Sequence, residues 1–97
     1  MLNLATLEIL NILYDRHGME YLTRDKHGNL ESWCELPEYK DDEWVHNTSN
    51  SYFLEEEAYY DMILDNDLDI NPEDVNLSFV TLEVSPLLIS NLIQNNQ

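Results

Sequence analysis

From position 41 to the last residue the chain carries thirteen Asp or Glu and no Lys or Arg. All four basic residues, Arg16, Arg24, Lys26 and Lys40, lie in the first 40 positions, so most of the acidic charge has no local counter-ion. A net charge of −16 over 97 residues pulls a chain towards disorder. Against that stands a 43% hydrophobic content, too rich in aromatic and aliphatic side chains for a solvated acidic tail and sufficient for one modest core. The expectation is one folded domain over residues 1–97. Its accessible surface should be roughly 5,800 Å², or about one net negative charge per 360 Å².

The N-terminal run Met1-Leu2-Asn3-Leu4-Ala5 has no basic segment ahead of it. Asn3, Glu8 and Asn11 interrupt it before any small-residue cleavage site, so it does not read as a secretion signal. No stretch approaches the length that spans a bilayer. The lone Cys34 cannot close an internal disulfide and suits a reducing compartment. These features predict a cytoplasmic protein without a membrane partner, in the host cytoplasm if a phage encodes it.

Apolar residues at Leu4, Ala5, Leu7, Ile9, Leu10, Ile12 and Leu13 have helical spacing over 3–16, with Asn3 as N-cap and Gly18 as the stop. Two strands follow, over 19–24 and 30–36, around a turn in which Asp25 begins the reversal and Gly28 takes the left-handed position. Leu30, Ser32, Cys34 and Leu36 share the apolar parity of the second strand, which makes Cys34 a buried, inert thiol. Pro37 ends it. Residues 38–50 read as a polar connection, with room for a short edge strand around Trp44 and His46. Ser49 or Ser51 then caps a helix over 55–64, whose leading glutamates suit the helix dipole. After an Asp- and Asn-rich loop holding Pro72, the alternation of Val75, Leu77 and Phe79 predicts a central strand over 75–84. Ser85 and Pro86 open a terminal helix. The resulting α-β-β-α-β-α order predicts an α+β domain, with a small antiparallel or mixed sheet covered by helices.

Motifs for chemistry are sparse. Asp65-Asn66-Asp67-Leu68-Asp69 starts like a calcium-binding loop, but Ile70 stands where the turn needs Gly and Asn76 where a bidentate Glu belongs. His17, His27, His46 and Cys34 have no zinc-site spacing. With only Gly18 and Gly28, there is no phosphate-binding loop, and with no basic cluster direct nucleic-acid binding is unsupported. Twenty carboxylates offer many pairs, but none is marked out for acid–base catalysis. The reading is a non-enzyme with no cofactor and no metal.

The acidic array carries the sharper expectation. Glu57, Asp61 and Asp65 are spaced i, i+4, i+8 and stand in one row, about 6 Å apart along the helix axis. Without interleaved lysines such neighbours each cost a few tenths of a kcal/mol on an exposed helix, roughly 0.2–0.5 kcal/mol. Solubility does not require excluding every basic residue from 57 positions. The candidate partner-binding residues are therefore Asp41, Asp42, Glu43 and Trp44, followed by Glu55, Glu56, Glu57, Tyr59, Asp61, Asp65, Asp67 and Asp69. Trp33, Tyr39, Tyr52 and Tyr60 are also interleaved with the acids; aromatics of this kind anchor protein interfaces, and core packing is the competing role for each of them, Trp33 and Tyr60 above all.

In size, charge and lack of catalytic motifs, most visibly from Glu55-Glu56-Glu57 through Asp74, the chain resembles the small acidic DNA-mimic proteins that phages and mobile elements encode, the antirestriction and anti-CRISPR type. The resemblance is compositional. It implies a stoichiometric inhibitor that occupies the nucleic-acid channel of a basic nuclease or CRISPR effector. Two other readings remain open: an immunity protein neutralising a basic nuclease toxin, with its acids and tyrosines in one compact patch, and a generic acidic adaptor or homodimer subunit.

Overall fold

The computed structural model describes residues 2–96, which fold into three helices, a four-stranded antiparallel sheet and a separate two-stranded hairpin. The elements are α1 (Leu4–Asp15), β1 (Tyr21–Arg24), β2 (Leu30–Trp33), β3 (Glu38–Lys40), β4 (Glu43–Val45), β5 (Ser51–Phe53), α2 (Glu56–Asp65), a 3-10 turn (Pro72–Asp74), β6 (Leu87–Leu88) and α3 (Ile89–Gln94). The architecture is the expected α+β, in roughly the expected α-β-β-α-β-α order. The accessible surface is 6124 Å², and the radius of gyration of 12.8 Å matches the value of about 12.5 Å for a compact chain of this length.

Local signals set the first half. The Asn3 side chain accepts from the Thr6 amide at 2.9 Å and starts α1, whose Ile9, Leu10 and Leu13 are fully buried. Gly18, at φ +67°, reverses the chain, and the Met19 amide donates to the Leu13 carbonyl. In the β1–β2 turn Asp25 accepts at one carboxylate oxygen from the amides of His27 and Asn29, while Gly28 adopts φ +86°. That is the turn the sequence predicts, with Asp25 at its start and Gly28 in the left-handed position.

The sheet order is β5-β2-β1-β6. Its register pairs Ser32 of β2 with Leu22 on one side and Tyr52 on the other, and Glu31 with Thr23 and Phe53. Strand alternation therefore gives the sheet two distinct faces. One carries Leu22, Leu30 and Leu54 into the main core against Ile9, Leu10, Leu13, Met62, Leu77, Val80 and Ile89. The other carries Thr23, Glu31 and Trp33, which are also buried because the β3–β4 hairpin folds across them. Trp44 of β4 ties the layers together by donating its indole N–H to the Arg24 carbonyl at 3.1 Å.

Several expectations are corrected. The short strand expected around Trp44 to His46 is present as β4, but residues 38–50 are otherwise no plain connection: β3 pairs with it in a hairpin, with Tyr39 opposite Trp44 and their rings 5.0 Å apart. Neither Ser49 nor Ser51 caps α2; Ser51 starts β5, an additional strand, and Glu55 occupies the cap position without a side-chain bond. β2 ends at Trp33, leaving Cys34 and Leu36 exposed instead of buried, with the Cys34 sulfur 2.8 Å from the Ser49 hydroxyl. Ser85 does not cap the last helix, which begins at Ile89 after the two-residue β6.

The largest correction concerns residues 75–84, which form no strand. Side chains take the backbone groups a ladder would use. Thr6 Oγ accepts from the Asn76 amide, and the Arg24 guanidinium donates to the carbonyls of Leu77, Val80 and Gly28. Ser85 Oγ donates to Thr81 and accepts from the Arg24 amide. One arginine from β1 thus pins a long irregular segment over the core.

Candidate functional site

Every one of the thirteen carboxylates from Asp41 onwards is exposed. Among the described residues the ion pairs are Lys26–Asp42 at 3.4 Å, between two exposed side chains, and, when the imidazole is protonated, His46–Glu35 at 3.6 Å. Exposed pairs of this sort contribute little. Arg24 is committed to carbonyls and neutralises no carboxylate. The acidic field is therefore left almost entirely to the solvent.

The candidate residues divide between the two sides of the sheet. Glu55, Glu56, Glu57, Tyr59, Asp61 and Asp65 belong to α2 and its cap, on the side of the main core; Asp67 and Asp69 follow in the next loop. Asp41, Asp42, Glu43 and Trp44 belong to the β3–β4 hairpin on the opposite side. Trp44 and Tyr59 are turned inward: Trp44 is buried, and Tyr59 packs against the core, where burial raises its phenol pKa despite the opposing effect of Arg24. The exposed side of α2 instead presents Tyr60 and Leu64, which follow one another at i, i+4 beside the Glu57, Asp61 and Asp65 row. Leu64 is 75% exposed. A leucine beside an acidic helical row is a signal readable in the sequence.

The backbone carries the acids at a cost. Asp41 (φ 53°) and Asp42 (φ 66°) form the two-residue turn between Lys40 and Glu43, where both residues need positive φ and Asn-Gly is the favoured pair. Asp67 (φ 52°) closes α2 in a Schellman arrangement, with its amide donating to Leu64 and the Leu68 amide to Ile63. Glycine is the usual residue there, and an anion at a helix C-terminus opposes the dipole. All three non-glycine residues at positive φ among those described are aspartates. At these positions carboxylates stand where stability alone favours Gly or Asn.

Between the sheet and the β3–β4 hairpin lies a cleft of about 390 Å³ lined by Asp25, Glu31, Trp33, Glu43, Trp44 and Phe53, among others. Glu31 is only 6% exposed. Burial pushes its pKa up, the Ser51 hydroxyl opposes that, and the nearby charges of Asp25 and Glu43 push it further up. Asp25 is also buried, which works to raise its pKa, but the hydrogen bonds from Asn29 and His27 outweigh burial and hold it below the ordinary value. His46, at the rim, accepts at Nδ1 from the amides of Thr48 and Ser49, which places a neutral ring's proton on Nε2, facing Glu35. Among the described residues no group of three or more His, Cys, Asp or Glu is arranged to hold a metal ion, and no helix is long and apolar enough to cross a membrane. No protein-family model, curated protein or solved structure matches the chain.

Proposed function

We propose that the chain is a stoichiometric binding protein that places an acidic, phosphate-like surface in the nucleic-acid channel of a basic partner, such as a host-defence nuclease or CRISPR effector. The observation that supports this reading most is the exposure of all thirteen carboxylates after position 40 with a single exposed lysine contact among them. A nucleic-acid channel is lined with Lys and Arg to neutralise about one phosphate charge per 1.7 Å of duplex. Rows of carboxylates on a folded surface offer that lining the same sign of charge, with electrostatic steering to speed the encounter. The acids occupy both sides of the sheet, which suits a partner that surrounds its ligand better than a toxin met at one compact epitope. Tyr60 and Leu64 supply apolar contact inside the acidic field.

The test compares the proteins retained from a bacterial lysate by immobilised wild type and by a Glu57→Gln, Asp61→Asn, Asp65→Asn variant, at low and high salt. Wild type should retain nucleic-acid-binding proteins that high salt releases, and the triple variant should retain much less of them. Equal retention by the two proteins removes the α2 row from the binding surface.

A further inference from the structure

The cleft between the sheet and the β3–β4 hairpin has a property that the exposed acidic surface lacks: a largely buried carboxylate in its wall that has no counter-ion among the described residues. Glu31 is more than nine-tenths buried and lines the cleft. A carboxylate offers about four lone-pair sites, and the Ser51 hydroxyl is the side chain whose hydrogen bond favours its charged form. Neither ion pair among the described residues involves it. Arg24 lies diagonally across the β1–β2 pair, but the register sends its side chain to the opposite face, where three carbonyls hold it. Asp25 and Glu43 add negative charge beside Glu31 instead of relieving it.

The remaining walls specify what completes the site. Both tryptophans of the chain and Phe53 line the cleft, and the indole N–H groups are already engaged, Trp33 with the Thr23 hydroxyl at 2.9 Å and Trp44 with the Arg24 carbonyl. What the rings still offer is their π-system, which attracts an organic cation. A planar guanidinium pairs bidentately with a carboxylate and stacks on aromatic faces, whereas a compact ammonium does neither as well. The geometry points to this cleft as a receptor for one guanidinium group, contributed by an arginine side chain of the basic partner and paired with Glu31 between Trp33, Trp44 and Phe53. The assignment of that group to a partner arginine rests on the proposed function; the affinity of the cleft for guanidinium does not.

The site is tested without a partner, by titrating the 15N-labelled protein with methylguanidinium, its neutral isostere methylurea, and methylammonium at constant ionic strength. The two indole N–H signals and the Glu31 amide are the reporters. Methylguanidinium should shift them saturably, methylurea should not, and methylammonium should bind more weakly. Glu31→Gln should weaken the methylguanidinium response about tenfold, the scale of one charge-assisted hydrogen bond. Glu43→Gln, at an exposed wall position, should weaken it less and reads the charge of the cleft independently of Glu31. The Glu57→Gln, Asp61→Asn, Asp65→Asn variant should bind methylguanidinium as wild type does. Absence of saturable shifts, equal shifts with methylurea or methylammonium, or an unchanged response in both cleft variants overturns the assignment. Such a failure leaves the salt-dependent binding of the α2 row untouched, and loss of the latter leaves this site standing.

Discussion

Arg24 and Glu31 sit one residue out of register on adjacent strands, yet they turn to opposite faces of the sheet, so a buried carboxylate and a partly buried guanidinium never meet. The arginine stabilises the loop over the core, and the glutamate is left facing the cleft.

Glu31→Gln should therefore stabilise the free protein at pH 7 by about 1 kcal/mol, the lower end of the cost of burying a poorly compensated polar group. The folded-state pKa of Glu31 lies above its ordinary 4.5. The native state then binds protons more readily than the unfolded chain, and ionisation costs stability above the folded pKa. That cost disappears as pH falls through the folded pKa towards 4.5. Denaturant unfolding of both proteins from pH 7 to pH 4 should show the advantage of the variant shrinking on the acid side.

Asp25 should show the opposite sign. Its folded pKa lies below the ordinary 3.8 because bonds from Asn29 and His27 favour the charged form over the effect of burial. Its contribution is present above 3.8 and is lost as pH falls through the lower folded value. Asp25→Ala should cost about 1–3 kcal/mol at pH 7, and a smaller difference should remain at pH 2.5, as read by chemical denaturation.

Arg24→Lys should destabilise the fold by about 2 kcal/mol, because an ammonium cannot serve three carbonyls in the fork geometry of a guanidinium. Hydrogen exchange should quicken at the Val80 and Ser85 amides, whose bonds close the turns of the pinned segment, before it quickens in α1.

That arginine also explains what the sequence leaves hidden. Asn3 at the start of α1, the Asp25 and Gly28 turn, and the apolar spacing of α1 are local signals, and they appear where expected. The alternation of Val75, Leu77 and Phe79 suggests a strand, but the backbone there is satisfied by Thr6 and Arg24, some 50 to 70 positions away, which no window of neighbouring residues reveals. The β3–β4 hairpin is obscured because Asp41-Asp42 replaces the usual Asn-Gly turn. For the cleft one signal was present: Trp33 stands on the polar parity of β2, and a tryptophan there implies a second layer over that face.

Asp67→Gly should stabilise the protein by about 1 kcal/mol, by relieving positive φ at a C-terminal cap and removing an anion from the negative end of α2. The same change should weaken partner binding at low salt. A gain in melting temperature with a loss of affinity would show that the aspartate is retained for the surface it makes, whereas unchanged affinity assigns Asp67 no part in binding.

The exposed carboxylates after position 40 lead to a direct competition experiment. A partner isolated on immobilised protein is titrated with duplex DNA, and the amount of chain still bound is measured at several salt concentrations. If the acidic surface occupies the nucleic-acid channel, DNA displaces the chain stoichiometrically, and affinity falls steeply with salt for wild type and less steeply for the Glu57→Gln, Asp61→Asn, Asp65→Asn variant. A ternary complex in which partner, DNA and chain co-elute, with affinity insensitive to salt, places the binding surface elsewhere and rules out phosphate mimicry.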